Sequence, residues 1–212
     1  MLFRSVAVAA DTSDDSSVRA MAQRVCELLG GVDVLVNGAA RVSSPGPAPK
    51  LAEVTDDALR AEIETKVLGY LRCARVFAPG MAARGWGRII NISGLHARYA
   101  GSVVGSIRNV SIAAMTKNLA DELGPSGVNV TVVHPGYTVT ERTPGSLAAI
   151  ASARGITSDE AQAELAATTS IGRLVTAEEV ASVVAFLSSP RSVAITGDAV
   201  VVGGGQRGPI YY

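Results

Sequence analysis

The residues best equipped for chemistry sit close together: Ser93, His96, Arg98 and Tyr99. A serine followed by a histidine could form a nucleophile and its base, and Tyr99 with Arg98 could act as an acid. The same residues also read as an exposed polar loop that satisfies backbone groups at a strand end. Lys66 falls in a helical pattern, where a solvated or snorkelling ammonium is the ordinary role. It gains chemical interest where it points towards Ser93 and burial lowers its pKa. The other histidine, His134, is expected at a strand end with its ring hydrogen-bonded to backbone.

Metal and redox chemistry find little support. The only histidines, His96 and His134, have no ligand-like spacing to Cys26 or Cys73. The two cysteines form no C-x-x-C pair and read as reduced, buried structural thiols. Gly203, Gly205 and Gly208 spell G-x-G-x-x-G after a strand, the pattern of a phosphate cradle. Only residues 209–212 follow, too few for a helix that would turn its N-terminus to a phosphate, so a close-packed turn is expected.

Several elements must position these groups. Short apolar runs rich in valine or isoleucine at 6–10, 32–36, 88–92, 128–133 and 199–202 read as buried strands, each closed by turn or cap residues. Between them the spacing predicts helices from Val18 to Leu29, over 55–84 with Pro79 interrupting the end, over 107–123, and after Thr176. Residues 43–49 carry three prolines and a glycine and read as an exposed loop. Residues 138–172 are polar, alanine-rich and weakly patterned, and are expected to form short helices in a mobile substrate lid. Strands alternating with helices imply right-handed βαβ units and a parallel sheet.

Composition narrows the function classes. Lys and Arg number 19 against 19 Asp and Glu, which excludes a generally basic nucleic-acid binder and a polybasic membrane-surface protein. No apolar stretch reaches the ~18 residues of a membrane span. The apolar run near the start is too short for a secretory signal. A cytoplasmic protein of one domain is expected.

Six segments, in order, resemble the short-chain dehydrogenase/reductase family across most of the chain. They are Asp11-Thr12 after a strand, Val34-Leu35-Val36-Asn37-Gly38-Ala39-Ala40, and Gly87-Arg88-Ile89-Ile90-Asn91-Ile92-Ser93. Leu119-Ala120-Asp121-Glu122-Leu123-Gly124-Pro125, Pro135-Gly136 with Thr140, and Gly172-Arg173 before Glu178-Glu179-Val180-Ala181 complete the set. The resemblance implies NAD(P)-linked redox chemistry on a carbonyl or alcohol. It also implies an α/β fold: a doubly wound, Rossmann-like parallel sheet, incomplete here, with about five strands and helices on both faces. Asp11 would face the adenine, Asn37 and Ala39 would lie beside the ribose, and Pro135, Gly136, Thr138 and Thr140 at the nicotinamide. Family members dimerise through two long helices, here 55–84 and 107–123, so a homo-oligomer or a pairing with an active homologue is expected.

Two departures from the family pattern shape the functional expectation. The chain opens at what resembles the family's third strand, so two βα units of ~30 residues each, which carry the glycine-rich cofactor turn, are expected to be missing. Segment 6–10 is then expected to slide in beside 32–36, since otherwise both would be left as apolar edges. The family's proton donor is a tyrosine assisted by a lysine four residues later, and no tyrosine here has a lysine at that spacing. Counting from Glu122 places Gly105 at the tyrosine position and Asn109 at the lysine position. Gly94 stands for the family's serine and Lys66 for its helix asparagine. Arg108 and Asn109 themselves read as helix-surface or subunit-contact residues. Coenzyme binding is therefore expected to be weak or absent and redox activity impaired or lost. Two alternatives stand beside this: a non-redox isomerase, cyclase or lyase using Ser93, His96 or Lys66, and a non-catalytic partner subunit.

Overall fold

The computed structural model describes residues 5–41, 48–208 and 210. Most of the expected loop at 43–49, and Tyr211 and Tyr212, lie outside the described residues. Asp14 opens helix α1 (Asp15–Leu29) by accepting from the Ser16 N–H, and Gly30, at φ 82°, ends it in the left-handed conformation that glycine adopts without penalty. Strand β1 (Val34–Asn37) follows. Thr55 caps α2 (Asp56–Glu62), a π-helical turn occupies Ile63–Leu68, and α3 (Gly69–Ala83) continues the same rod. The single helix expected over 55–84 thus has its irregularity at the π turn, whereas Pro79 lies inside α3 and costs one backbone bond without ending the helix.

Strand β2 (Gly87–Ile92) leads through a short 3-10 turn at Leu95–Ala97 to α4 (Val103–Leu123). This helix starts four residues earlier than the pattern suggests, because the Ser102 hydroxyl caps it by accepting from the Gly105 N–H. Gly105 therefore belongs to the first turn of α4, not to a preceding loop. Strand β3 (Val128–Pro135), the short β4 (Thr138–Val139), helices α5 (Thr143–Arg154) and α6 (Ser158–Ala167), β5 (Val175–Thr176), α7 (Ala177–Leu187) and β6 (Ala199–Val202) complete the order. The expected short helices between 138 and 172 are α5 and α6.

Four parallel strands form the main sheet in the order β1-β2-β3-β6, and β4 pairs with β5 in a separate ribbon. In-register pairs include Leu35 with Ile89, Ile89 with Val130, and Val133 with Val200. Alternation along the strands sorts the side chains to two faces. Ile89, Val128 and Val130 pack against Ala22 of α1 and Ala74, Phe77, Ala78 and Met81 of α3. Ile90 and Val133 pack on the other face against Leu187 of α7. Both faces are covered by helices, as the α/β reading requires, and each fully buried apolar side chain contributes about 1.5–3 kcal/mol.

The fifth strand is a correction. Residues 6–10 form no ladder among the described residues, and β1 remains the edge. The segment is fixed at its far end instead. Thr12 Oγ1 donates to the Thr65 carbonyl, and Arg72 donates to the Thr12 carbonyl. A side chain at Gly69 would collide with Thr12, its Cβ falling 2.9 Å from the Thr12 Cβ. A second correction concerns Cys26, which is exposed on α1, whereas Cys73 is buried as expected. Helix α1 buries only Val18 and Ala22, and its last turn stands largely in solvent.

The glycine run after β6 is the close-packed turn its sequence suggested. Gly204 and Gly205 have positive φ and accept from the N–H groups of Ile171 and Ser170, and no helix follows among the described residues. Among those residues, no helix is long and apolar enough to cross a membrane, and no His, Cys, Asp and Glu cluster could hold a metal.

Candidate active site at the carboxyl end of the sheet

Helix α4 and the π turn meet at the carboxyl end of β2, and this junction gathers most of the candidate residues. Lys66 is 4% exposed, and its ammonium donates to the Ser93 carbonyl at 3.1 Å. The π turn places it there. Gly69 N–H reaches back five residues to the Glu64 carbonyl, and the added residue per turn rotates Lys66 from the surface into the junction. Burial chiefly, then the neighbouring Arg108 guanidinium, bring its pKa down to about 8, with the Glu62 carboxylate opposing. Lys66 is thus not the solvated side chain that a helical lysine would ordinarily be.

The four positions that the family resemblance equates with catalysis do converge. A side chain at Gly94 would place its Cβ 3.0 Å from the Asn109 amide nitrogen, and one at Gly105 would meet Ser102 and His96. Asn109 is 2% exposed with its Oδ1 unpartnered, and Arg108 pairs with Glu62 at 2.5 Å, both side chains largely buried. These two are therefore not the surface or contact residues their helix positions suggested. The start of α4 packs on the 3-10 turn and on the π turn, which turns both residues inward.

The pairings proposed from spacing fare differently. Ser93 Oγ donates to the Asn109 carbonyl at 3.2 Å, and no hydrogen bond joins Ser93 to His96. His96 instead lies against Tyr99, ring centroids 5.0 Å apart. Burial, followed by Arg108, lowers the His96 pKa and keeps the ring neutral near pH 7. Ser93 and His96 are neighbours but not a nucleophile and its base. Arg98 reaches the Ala199 carbonyl at 3.4 Å, so this stretch also satisfies strand-end backbone.

Tyr70 donates its hydroxyl to the Ile92 carbonyl at 2.9 Å, and burial pushes its pKa upwards. His134 corrects another expectation: its ring sits at a strand end but leaves Nδ1 without a partner. Burial, then Arg98 and Lys66, lower its pKa to about 4.

Residues assigned to the coenzyme by resemblance are distributed along the same edge. The Asn37 amide donates to Asn91 Oδ1, and the Asn91 amide donates to Thr116 Oγ1, a buried chain across β1, β2 and α4. Ala39 packs beside Tyr70, Ile112 and Val132. Pro135 ends β3, and Gly136 lies so close to Gly203 that a Cβ there would be 2.7 Å from the Gly203 Cα. Thr138 Oγ1 donates to the Gly136 carbonyl, and Thr140 Oγ1 accepts from the Arg142 N–H. Asp11 stands apart, accepting from the Ser13 N–H and hydroxyl, which hold its carboxyl below the usual range.

Glu62 was missed by sequence reasoning. Its spacing of four from Lys66 is a helix-face signal, but its partner Arg108 lies 46 residues away and gives none.

Comparison with known proteins follows this geometry. A family model described as enoyl-(acyl carrier protein) reductase matches residues 2–207. The short-chain reductase protein NovJ of Streptomyces niveus is 32% identical over 204 residues, 96% of this chain and 75% of that protein. A 3-oxoacyl-(acyl-carrier-protein) reductase, FabG of Vibrio cholerae, is 29% identical over 94% of this chain and 76% of its own length. Among solved structures, L-sorbose reductase from Gluconobacter frateurii, complexed with NADPH and L-sorbose, superimposes with a TM-score of 0.85 at 26% identity. The match covers 96% of this chain and 77% of that one. A 3-oxoacyl-(acyl-carrier protein) reductase from Brucella melitensis with bound NAD gives a TM-score of 0.80 at 28% identity, over 98% and 73%.

Proposed function

The chain belongs to the short-chain dehydrogenase/reductase family, and from that premise we propose that its site receives a carbonyl or alcohol compound but transfers hydride poorly or not at all. One observation supports this reading: Gly105, which the family resemblance sets at the acid position, is closely packed by Ser102 and His96, and Asn109 one turn later is buried. A carbonyl oxygen that gains a hydride needs a proton from a group of suitable pKa held beside it. Gly105 has no side chain, and the nearby Tyr70 phenol is bound to the Ile92 carbonyl with its pKa raised.

The nicotinamide coenzyme has a role apart from the acid. When bound, it supplies the hydride. Asn37, Ala39, Pro135, Gly136, Thr138 and Thr140 lie at the ends or in the loops after two strands of one edge and would hold its nicotinamide-ribose half; Asp11 would face the adenine. The described residues contain no glycine-rich turn that opens a helix, so binding through these residues alone is weak. Titration with NADH and NADPH, followed by turnover with a panel of carbonyl compounds, tests both parts. The expected result is no micromolar binding and no turnover at ordinary enzymatic rates, of order 1–10³ s⁻¹. Saturable coenzyme oxidation at such rates, from protein free of contaminating reductases, would overturn the reading.

A second reading has its own observation. Val103, Ile107 and Val110 stand 49%, 41% and 50% exposed along one side of α4. An apolar stripe on this helix favours a subunit contact with a second copy or an active homologue. A monomer on sizing that retrieves no homologue would remove it.

A further inference from the structure

We propose that Lys66 is a carbonyl-reactive amine that forms an imine with small aldehydes or ketones at the carboxyl end of β2. The inference rests on the reading of this strand end as a carbonyl site, and it assigns that site a covalent chemistry that needs no coenzyme. Three structural observations carry it.

Lys66 is buried by the π turn, yet among the described residues its Nζ has only the Ser93 carbonyl as a hydrogen-bond acceptor, with the Tyr70 ring centroid 6.0 Å away. Ser93, whose carbonyl holds the amine, and its neighbour Gly94 remain partly exposed. Among the described residues the one carboxylate acting on it, Glu62, is already engaged by Arg108 at 2.5 Å, and no ion pair there fixes the ammonium form. The other charged or titratable groups facing the site are Arg108, His134 and Tyr70, none of them an anion near neutrality. Desolvation beside a second cation is a recognised way to make a lysine nucleophilic, and the pKa of about 8 is in keeping with it.

The step balances without an oxidant or reductant. The Nζ lone pair forms a bond to the carbonyl carbon, and the oxygen takes a proton from the nitrogen to give a carbinolamine. The C–O bond then breaks, the second nitrogen proton leaves with the oxygen, and the products are an imine and one water molecule.

The chain has three lysines, Lys50, Lys66 and Lys117, which makes the site separable by mapping. The folded protein is incubated with propanal near pH 7.5 and reduced with borohydride, and propyl-lysine is located by peptide mass analysis. Lys66 is expected to carry about tenfold more label than Lys117, whose ammonium is tied to Asp121. The preference should vanish in urea. Arg108→Gln should lower Lys66 labelling several-fold while leaving Lys117 unchanged, since Glu62 is then free to hold the Lys66 ammonium. Label confined to Lys50, Lys117 or the N-terminal amine, or spread equally in folded and unfolded protein, would overturn the proposal. Wild-type mapping decides this even if a variant fails to fold. Coenzyme turnover is measured separately, so hydride transfer with no Lys66 label would defeat both readings, and no turnover with no label would defeat this one alone.

Discussion

Both ends of the parallel sheet bury polar side chains, but they treat them differently. At the amino end, Asn129 donates to the carbonyls of Ser192, Val193 and Ile195. Beside it, the Arg88 guanidinium lies 4.8 Å over the Trp86 ring and donates to the Gly87 carbonyl. At the carboxyl end, Asn109 Oδ1, Arg108 Nε and His134 Nδ1 are buried without partners among the described residues. A buried polar atom without a partner costs stability, so its retention points to a role other than holding the fold. The amino end uses polarity as structure. The carboxyl end leaves three of its buried polar atoms unpaired among the described residues.

Four experiments would break or sharpen that contrast. The largest effect is expected from Asn129→Ala, which takes the side-chain donor from the Val193 and Ile195 carbonyls, while that of Ser192 keeps the Ile195 N–H, and should cost about 3 kcal/mol in urea unfolding. His134 comes next, through pH. Unfolded, its imidazole protonates near 6.5, while the folded ring resists until about 4. Between those values the unfolded state binds more protons, so stability should fall as pH drops through that window and level off below it. The loss is roughly 2–3 kcal/mol and should disappear in His134→Leu.

Asn109→Ala, by contrast, removes a carbonyl oxygen that has no partner and should change stability by no more than about 1 kcal/mol. A loss equal to that of Asn129→Ala would end the distinction between the two regions. The smallest effect belongs to Arg60, 71% exposed in its pairing with Asp56 and Asp57, where Arg60→Ala should stay within about 0.5 kcal/mol.

Local signals carried much of the architecture. Runs rich in valine or isoleucine ended by turn residues located β1, β2, β3 and β6, and the caps Asp14, Thr55 and Thr176 marked three helix starts. The same local signal misled at 6–10, because an apolar run states a need for burial without naming a partner strand. The site was legible as residue types rather than as contacts. Ser93, His96 and Lys66 could each be singled out, but the Lys66–Ser93 bond spans 27 residues and depends on a π turn that no propensity announces. The Glu62–Arg108 pair, 46 residues apart, left no periodic trace at all.

The account turns on where the ionisable group of this strand end resides: on a lysine of the π turn, not on a phenol of α4. Titration of the ε-carbon signals of 13C-lysine-labelled protein, with the Lys66 resonance assigned through Lys66→Arg, reads this directly. The account predicts a Lys66 signal that titrates near pH 8 while Lys117, held by Asp121, titrates above the ordinary lysine value. A Lys66 signal that titrates near 10.5, like a lysine in water, would contradict it.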